Sequence, residues 1–387
     1  MGFHALFERE DVLEILQKTL QGYYTSRYPE KQVYVGYEKR PGAAEFFLTP
    51  RVGMILQENP PRDVQCRYYR SYNIRNNIVK HVAAKTLVFL GLNFPRMLAM
   101  KQRLYVWPKD AVNEKTTFTY CNRSIRIFDY QNETTVSIQK YGFTDKFFQN
   151  QLQFRLKYPY PFIPEILDSG KDWFEEKIYT GCILARVTDE EQFCQAQTEI
   201  LSCVSRVEED TLELFSAKVY ITELCDRLEQ MLQRTKDEKA TIHVDAARNY
   251  VQHIAAFLKE SPEQIPMVIS HKDLQGGNIL VTPEKTWIID WETQGRGSRW
   301  FDAITMLYGT RYYGGIRKLT RDAVADKLTE QIGPKADWSA KQILAIFLLE
   351  DLEFYLEDML ELPGIAGSAT FDRYMTEIQE IDWTTVF

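Results

Sequence analysis

The chain lacks the patterns that identify several large classes of nucleotide-binding and metal-binding proteins. It contains no GxxxxGK[ST] phosphate loop and no GxGxxG fingerprint, which disfavours P-loop and dinucleotide-binding proteins. No pair of cysteines is spaced as CxxC, and no histidine lies at metal-ligand spacing from a cysteine. We therefore expect free thiols in a reducing cytosol at all six cysteines, which are Cys66, Cys121, Cys182, Cys194, Cys203 and Cys225.

Long apolar runs and long basic runs are also missing. No stretch approaches the roughly 20 apolar residues that span a bilayer, and acids occur early where a signal peptide has basic and then apolar residues. These features predict a cytoplasmic protein without a membrane span. The net charge is −7, and the absence of a basic, aromatic-interleaved run predicts no binding to nucleic acid. No pattern predicts an oligomeric state.

The patterns that are present divide the chain into three predicted segments. Residues 1–110 mix helical and strand-like periodicity, and we interpret them as an N-terminal accessory α/β unit of unassigned role. Residues 111–182 contain three strand-like runs, a helical run and two further strand-like runs, the order of a kinase N-lobe. Residues 183–387 are mainly helical in pattern and form the predicted C-lobe, which carries the catalytic and metal loops.

One stretch, residues 267–302, carries a pattern with recognisable chemistry (MVISHKDLQGGNILVTPEKTWIIDWETQGRGSRWFD). Asn278 lies five residues after Asp273, and a hairpin-like segment leads from there to Asp290. Phosphoryl transfer needs a carboxylate beside the acceptor hydroxyl and hard oxygen ligands for Mg²⁺. The pattern therefore predicts Asp273 as the catalytic base and Asn278 with Asp290 as metal ligands. An ordinary strand–turn–strand with solvated acids is the alternative.

The run HKDLQGGNIL followed by IIDWE resembles the aminoglycoside phosphotransferase and choline kinase superfamily, relatives of the protein kinases. The resemblance covers residues 115–182 and 265–310. It implies an α+β, two-lobed protein-kinase-like fold, with a small antiparallel β-sheet lobe and a largely helical C-lobe. It also implies structural roles for His271, which braces the catalytic loop, and for Asp302. Glu292 either assists at the metal, faces the substrate or is a solvated turn acid.

The same resemblance implies nucleotide contacts in residues 111–182. Lys140, at the end of TTVSIQK, best matches the strand lysine that reaches the α- and β-phosphates, and a surface lysine is the alternative. Ser124, in a first turn without glycine, is a candidate phosphate contact. Gln151 occupies the position of the helix glutamate that pairs with the lysine in the family. Backbone groups near Glu176 to Ile178 are expected to meet the adenine edge.

The acceptor side is the least defined part of the sequence. The helical segment 348–362 carries Tyr355 and six acids, which are Glu350, Asp351, Glu353, Glu357, Asp358 and Glu361. C-terminal helices line the acceptor pocket in the family, so these acids could bind a cationic amino sugar or amino alcohol. We favour the competing interpretation, in which they form a solvated face opposite a stripe of core leucines. A neutral sugar is a further candidate acceptor.

Taken with the resemblance, these residues predict an ATP- and Mg²⁺-dependent kinase. Its predicted acceptor is a hydroxyl of a small molecule: a sugar, an amino sugar such as an aminoglycoside, or an amino alcohol such as choline. The missing helix glutamate motivates an alternative, a nucleotide-binding pseudokinase that acts as an interaction or regulatory module. A protein substrate is disfavoured because no DFG and APE pair follows Asp290.

Overall fold

The computed structural model describes residues 3–71, 78–239, 243–332, 337–361 and 366–387. The chain divides into two compact units, each with its own hydrophobic core. Unit 1 comprises Met1–Ala196 and Ile279–Glu292, and unit 2 comprises Gln197–Asn278 and Thr293–Phe387. The hairpin segment that ends near Asp290 therefore belongs to unit 1, whereas the loop that carries Asp273 belongs to unit 2.

Unit 1 is built on an antiparallel sheet of nine strands in which most inward-facing side chains are apolar and buried. The strands are β1 (Tyr34–Gly36), β2 (Ala44–Thr49), β3 (Met54–Gln57), β4 (Arg103–Trp107), β5 (Thr116–Tyr120), β6 (Ser124–Asp129), β7 (Thr134–Gln139), β8 (Ile166–Ser169) and β9 (Trp173–Lys177). Their order in the sheet is β1-β4-β2-β3-β5-β6-β7-β9-β8.

Six further strands form two small antiparallel sheets. They are β10 (Cys182–Ile183), β11 (Glu213–Ser216), β12 (Gln264–Ser270), β13 (Ile279–Val281), β14 (Thr286–Ile288) and β15 (Gly295–Ser298). The sheet β10-β13-β14 lies in unit 1, and the sheet β11-β12-β15 lies in unit 2. The segment between β13 and β14 is therefore the hairpin that the sequence pattern predicted.

Fifteen α-helices lie in the described residues. They are α1 (Phe3–Arg9), α2 (Val12–Arg27), α3 (Arg62–Ser71), α4 (Ile78–Asn93), α5 (Pro95–Leu98), α6 (Lys146–Lys157), α7 (Glu190–Thr211), α8 (Ala217–Lys239), α9 (Val244–Phe257), α10 (Phe301–Tyr308), α11 (Gly315–Val324), α12 (Leu328–Ile332), α13 (Ala340–Glu361), α14 (Ala366–Gln379) and α15 (Trp383–Val386). None of these described helices is both long and apolar enough to cross a bilayer.

The predicted order of three strands, a helix and two strands is present as β5, β6, β7, α6, β8 and β9. Strands β1–β4 continue the same sheet, because β3 pairs with β5 and places Ile55 opposite Phe118. The rings of Phe46 and Phe118 lie 4.7 Å apart within the shared core. Residues 1–110 thus share a sheet with the predicted N-lobe. The predicted domain boundaries at residues 110 and 182 stay predictions.

The core of unit 2 is formed chiefly by helices, among which α8 and α13 share buried leucines such as Leu228 and Leu352. Apolar residues recur at helical spacing along α8, which explains why one side of this helix is buried. An antiparallel sheet unit and a largely helical unit confirm the predicted α+β kinase-like fold.

Candidate active site

The loop that follows β12 in unit 2 holds Asp273 in a network of side-chain donors. The Asn278 side-chain amide donates to the Asp273 main-chain oxygen at 2.8 Å and to Oδ2 at 2.9 Å. Gln275 Nε2 lies 3.0 Å from each oxygen of the same carboxylate. Because the Asn278 nitrogen is used on Asp273, its side-chain oxygen is the atom left for a metal ion.

The start of this loop is fixed by a buried aspartate on α10. Asp302 accepts from the backbone N–H groups of His271 at 2.6 Å and of Lys272 at 3.0 Å. Lys272 has a left-handed φ of 63°, an uncommon conformation that these bonds hold in place. Both His271 and Asp302 are buried, and burial raises the pKa of Asp302 while His271 opposes the shift. This arrangement fits the structural roles that the resemblance implied for both residues.

Sequence reasoning missed Arg311, the cationic partner of Asp273. Arg311 Nε donates to Asp273 Oδ1 at 3.0 Å, Nη2 donates to the Lys272 main-chain oxygen at 2.6 Å, and Nη1 pairs with Asp351. The guanidinium also lies 3.9 Å from the centre of the Phe354 ring. The arginine follows Asp273 by 38 residues, and no local pattern connects the two positions.

The acids of α13 correct the favoured interpretation of the segment 348–362. Glu350, Asp351 and Glu353 are 2%, 0% and 7% exposed, so they are not part of a solvated face. Glu350 accepts from Ser298 N and Oγ at 2.6 Å each and from the Tyr220 hydroxyl at 2.5 Å. Burial raises the pKa of both Glu350 and Asp351. Ser298 and Tyr220 oppose the shift at Glu350, and Arg311 opposes it at Asp351.

The remaining acids of this helix are partly exposed. These are Glu357, Asp358 and Glu361, which have intermediate burial. The buried Glu353, by contrast, accepts from Arg227 Nε at 2.6 Å. The solvated-face interpretation is therefore wrong for the first three acids, because each is buried beside a donor from another element. Those three side chains pack inside unit 2 and accept hydrogen bonds there.

In unit 1 the predicted metal ligand Asp290 lies just after β14. Its φ of 67° is left-handed, which is uncommon for a residue other than glycine. The next residue, Trp291, stacks on Phe154 of α6 with ring centres 4.4 Å apart, and this contact anchors the loop. Glu292 accepts from Arg123 Nη1 at 2.7 Å. Burial and the negative charge of Asp290 raise the pKa of Glu292, and Arg123 opposes the shift.

A cavity within unit 1 brings four of the predicted site residues together. Its lining includes Gln151, Glu176, Ile178 and Asp290, which come from α6, the end of β9 and the loop after β14. Other lining residues include Arg126, Thr135, Arg155 and Tyr179. The Gln151 side chain is 6% exposed, and its oxygen has no hydrogen-bond partner among the described residues. The cavity lining therefore includes a buried side-chain oxygen without a hydrogen-bond partner among the described residues.

Lys140 and Ser124 are not among the residues that line this cavity. Lys140 is 1% exposed, which excludes the alternative of a surface lysine. Its Nζ lies 2.9 Å from Glu10 Oε1 and 2.9 Å from the Asn122 main-chain oxygen. The carboxylate that α6 lacks is thus supplied by Glu10, at the junction of α1 and α2. The phosphate contacts predicted for Lys140 and Ser124 stay predictions.

The buried position changes the protonation of this lysine. Burial lowers the pKa of Lys140 to about 8, although the Glu10 carboxylate favours the protonated form. A salt bridge in such surroundings is sensitive to the removal of either partner. No sequence signal indicated Glu10, because it precedes Lys140 by 130 residues.

The segment that carries Asp273 lies inside a match to a known protein family. Residues 207–338 match the model of the APH family, described as the phosphotransferase enzyme family. This range includes Asp273, Asn278, Asp290 and Arg311. The match confirms the predicted resemblance and the prediction of a phosphotransferase enzyme. No curated protein matches the chain.

Solved structures of small-molecule kinases are similar to the chain at low sequence identity. An ethanolamine kinase of Plasmodium vivax is 12% identical, with 83% of this chain and 94% of that chain covered and a TM-score of 0.45. The choline kinase LicA of Streptococcus pneumoniae is 12% identical, with coverages of 70% and 91% and a TM-score of 0.45. The aminoglycoside phosphotransferase APH(4)-Ia, in complex with AMP-PNP and hygromycin B, is 12% identical, with coverages of 68% and 92% and a TM-score of 0.48.

Proposed function

We propose that the protein transfers the γ-phosphate of ATP to a hydroxyl group of a small molecule, with Asp273 as the catalytic base. The proposal assigns Asn278 and Asp290 as ligands of Mg²⁺. The observation that carries it is the network around Asp273, which holds one carboxylate with three side-chain donors. The Asp273 side chain is still 20% exposed, so an acceptor can reach it.

The network suits the chemistry of a base that acts late. In phosphoryl transfer the bond to the leaving oxygen is largely broken before the new bond is complete, so the attacking hydroxyl becomes acidic late in the reaction. The acceptor oxygen forms the bond to the γ-phosphorus, the bond to the β–γ bridging oxygen breaks, and the hydroxyl proton passes to Asp273. Such a base needs a fixed orientation more than high basicity, and Gln275, Asn278 and Arg311 provide that orientation.

The proposed metal ligands fit Mg²⁺ in their donor chemistry. A carboxylate from Asp290 and an amide oxygen from Asn278 are hard donors, and Mg²⁺ usually combines one or two such groups with phosphate oxygens and water. Among the described residues no cluster of three or more His, Cys, Asp or Glu side chains could hold a metal alone. When bound, Mg²⁺ would neutralise charge on the transferred phosphate group.

The cavity of unit 1 supports the nucleotide half of the proposal. The Ile178 amide donates to the Glu133 main-chain oxygen at 2.9 Å, so its own carbonyl is the group left for the adenine amino group. Arg155 pairs with Glu176 and also donates to the Pro164 main-chain oxygen. These contacts hold the end of β9 in a defined position, as a base-binding edge requires.

The acceptor is proposed only by class: a sugar, an amino sugar such as an aminoglycoside, or an amino alcohol such as choline. Side chains from other elements already donate to the carboxylates of Glu350, Asp351 and Glu353 inside unit 2. These negative charges therefore give no reason to prefer a cationic acceptor. Neutral sugars therefore belong in any substrate screen.

The test is turnover of ATP by the full chain with Mg²⁺ against a panel of sugars, aminoglycosides and amino alcohols. We expect one class to stimulate turnover, and Asp273→Asn to lower kcat by about 10²- to 10⁴-fold while ATP binding is retained. Asp226→Asn makes the same chemical change at an exposed position of α8 and is expected to leave kcat unchanged. The absence of Mg²⁺-dependent ATP binding would contradict the proposal.

A second candidate is a nucleotide-binding pseudokinase with an interaction or regulatory role. The ion pair between Arg311 and Asp273 favours it, because the guanidinium occupies a carboxylate oxygen that a base would offer to the acceptor hydroxyl. Gln151 in place of a glutamate points the same way. Tight binding of ATP with Mg²⁺, together with no stimulation by any acceptor and no effect of Asp273→Asn on residual turnover, would support this candidate over the kinase.

A further inference from the structure

The nucleotide cavity of unit 1 needs a cation for the phosphates, and few side chains are available for it. Arg126, Arg155 and Lys177 are cationic residues of the lining. Arg155 is engaged by Glu176 and by the Pro164 main-chain oxygen. Lys177 is the last residue of β9, where it pairs with Thr134, and its side chain is exposed to solvent. Of these three cations, Arg126 is therefore the one that neither meets a described carboxylate within hydrogen-bond distance nor lies largely exposed to solvent.

The contacts of Arg126 leave hydrogen-bonding capacity unused. Its Nη2 forms a long ion pair with Asp290 Oδ1 at 4.0 Å, which is beyond hydrogen-bond distance. Its Nε is buried and has no hydrogen-bond partner among the described residues. A buried N–H without a partner costs stability unless a ligand satisfies it.

The register of the sheet explains why an arginine on β6 can take the place of a strand lysine on β7. Side chains two residues apart share a face of a strand, and Thr135 of β7 lines the cavity. The next position on that face is Ser137, which lies directly opposite Arg126. Its hydroxyl is buried and has no partner among the described residues. Opposed side chains are close neighbours, with Cβ atoms about 4.5–5.5 Å apart, so Arg126 reaches the space that a lysine at 137 would occupy.

Lys140 lies on a different side of this region and is already occupied. Its Nζ is bound by Glu10 and by the Asn122 main-chain oxygen and lies 3.8 Å from the centre of the Tyr120 ring. Arg9 donates to the same Asn122 oxygen at 2.9 Å. Reaching a phosphate would break both polar contacts of a buried ammonium. Lys140 instead fixes the turn between β5 and β6.

We propose that Arg126, rather than Lys140, is the side chain that binds the nucleotide phosphates in this protein. The inference rests on the proposed function and names the cation of its nucleotide site. A guanidinium presents parallel N–H groups to two phosphate oxygens, which an ammonium cannot do. Lys140 becomes a positioning residue for the turn that precedes Arg126.

The experiment compares binding of Mg²⁺–ATP and of adenosine to the full-length protein and its variants by calorimetry. Arg126→Met is expected to weaken ATP binding by about 10- to 100-fold and to leave adenosine binding unchanged, because only ATP carries phosphates. Arg126→Lys should recover part of the loss. Lys140→Met should change the ATP affinity of the folded protein by less than about 3-fold. Arg206→Met, an exposed change on α7, is the matched control.

Each outcome has a defined meaning. A loss of ATP affinity in folded Lys140→Met, with Arg126→Met like the wild type, would overturn the inference in favour of Lys140. An equal loss for ATP and adenosine in the Arg126 variants would also overturn it, because it would indicate a general structural change. If Arg126→Met does not fold, Arg126→Lys carries the same comparison.

The same measurements distinguish failure of the inference about Arg126 from failure of the proposed function. A wild type that turns over ATP with an acceptor while Arg126→Met binds ATP normally refutes the inference alone. A wild type that binds no ATP refutes both the inference and the proposed function.

Discussion

A single side chain, Arg311, connects the proposed base to a carboxylate that has no access to water. Asp351 is 0% exposed, and one of its oxygens has no hydrogen-bond partner among the described residues. A buried carboxylate is expensive unless it is paired, so Asp351 depends on Arg311. The same guanidinium orients Asp273. Stability and positioning of the base are therefore coupled at one residue.

We predict that Arg311→Met destabilises the protein by about 3–5 kcal/mol, because it leaves Asp351 buried and unpaired. The free energy of unfolding in urea measures this loss. Asp351→Asn in the Arg311→Met background should recover part of the stability but not the activity, because Asp273 still lacks its donor. A change below about 0.5 kcal/mol for Arg311→Met would show that the pair does not hold this region together.

A tight turn between α10 and α11 determines where Arg311 lies. Gly309 ends α10 with a left-handed φ of 60°. A Cβ at Gly315 would lie 2.5 Å from the Gly309 main-chain oxygen and 2.7 Å from Thr310 Cα. Both atoms belong to the backbone, so a side chain at this position must displace the turn rather than a flexible neighbour.

Gly315→Ala is therefore expected to cost about 1–3 kcal/mol, the usual effect of overpacking, and to lower kcat through displacement of Arg311. Denaturation in urea and steady-state kinetics measure the two effects. Gly22→Ala is the matched control, because no heavy atom lies within 4 Å of the added Cβ in α2. That control should raise stability by about 0.5–1 kcal/mol, as alanine does in a helix interior. Similar results for both variants would refute the role of the turn.

A buried ion pair connects the first helices of the chain to the nine-stranded sheet. Glu10 lies between α1 and α2, and Lys140 follows β7. The two partners are 3% and 0% exposed at their side chains. Because the folded-state pKa of Lys140 is about 8, against an ordinary value of 10.5, the pair makes stability depend on pH.

The sign follows from the protons bound in each state. Between about pH 8 and 10.5 the unfolded chain carries a proton at Lys140 that the folded chain has lost, so stability from this group increases with pH. The contribution is present above pH 10.5 and is lost as the pH falls through about 8.

We predict that the free energy of unfolding of the wild type rises relative to Lys140→Met by about 2 kcal/mol from pH 7.5 to 9.5. Urea midpoints across this range measure the difference between the two proteins. A difference that is constant with pH would contradict the lowered pKa.

Much of the local architecture and part of the candidate site were predictable from the sequence alone. The order of β5, β6, β7, α6, β8 and β9 follows from the alternation of apolar residues and from turn residues, which are local signals. The motif around Asp273 is equally local. The prediction that Gln151, Glu176, Ile178 and Asp290 belong to the nucleotide and metal region is compatible with their common cavity.

Tertiary structure alone decided which charged groups meet. Glu10 pairs with Lys140 across 130 residues, and Tyr220 binds Glu350 across another 130. A contact between residues so far apart leaves no periodicity in the sequence. An acid on α13 has the same local pattern whether it is solvated or buried, because its surroundings depend on donors from other elements. The sequence therefore determined the elements and the chemical motif, and the packing of distant elements determined the ion pairs.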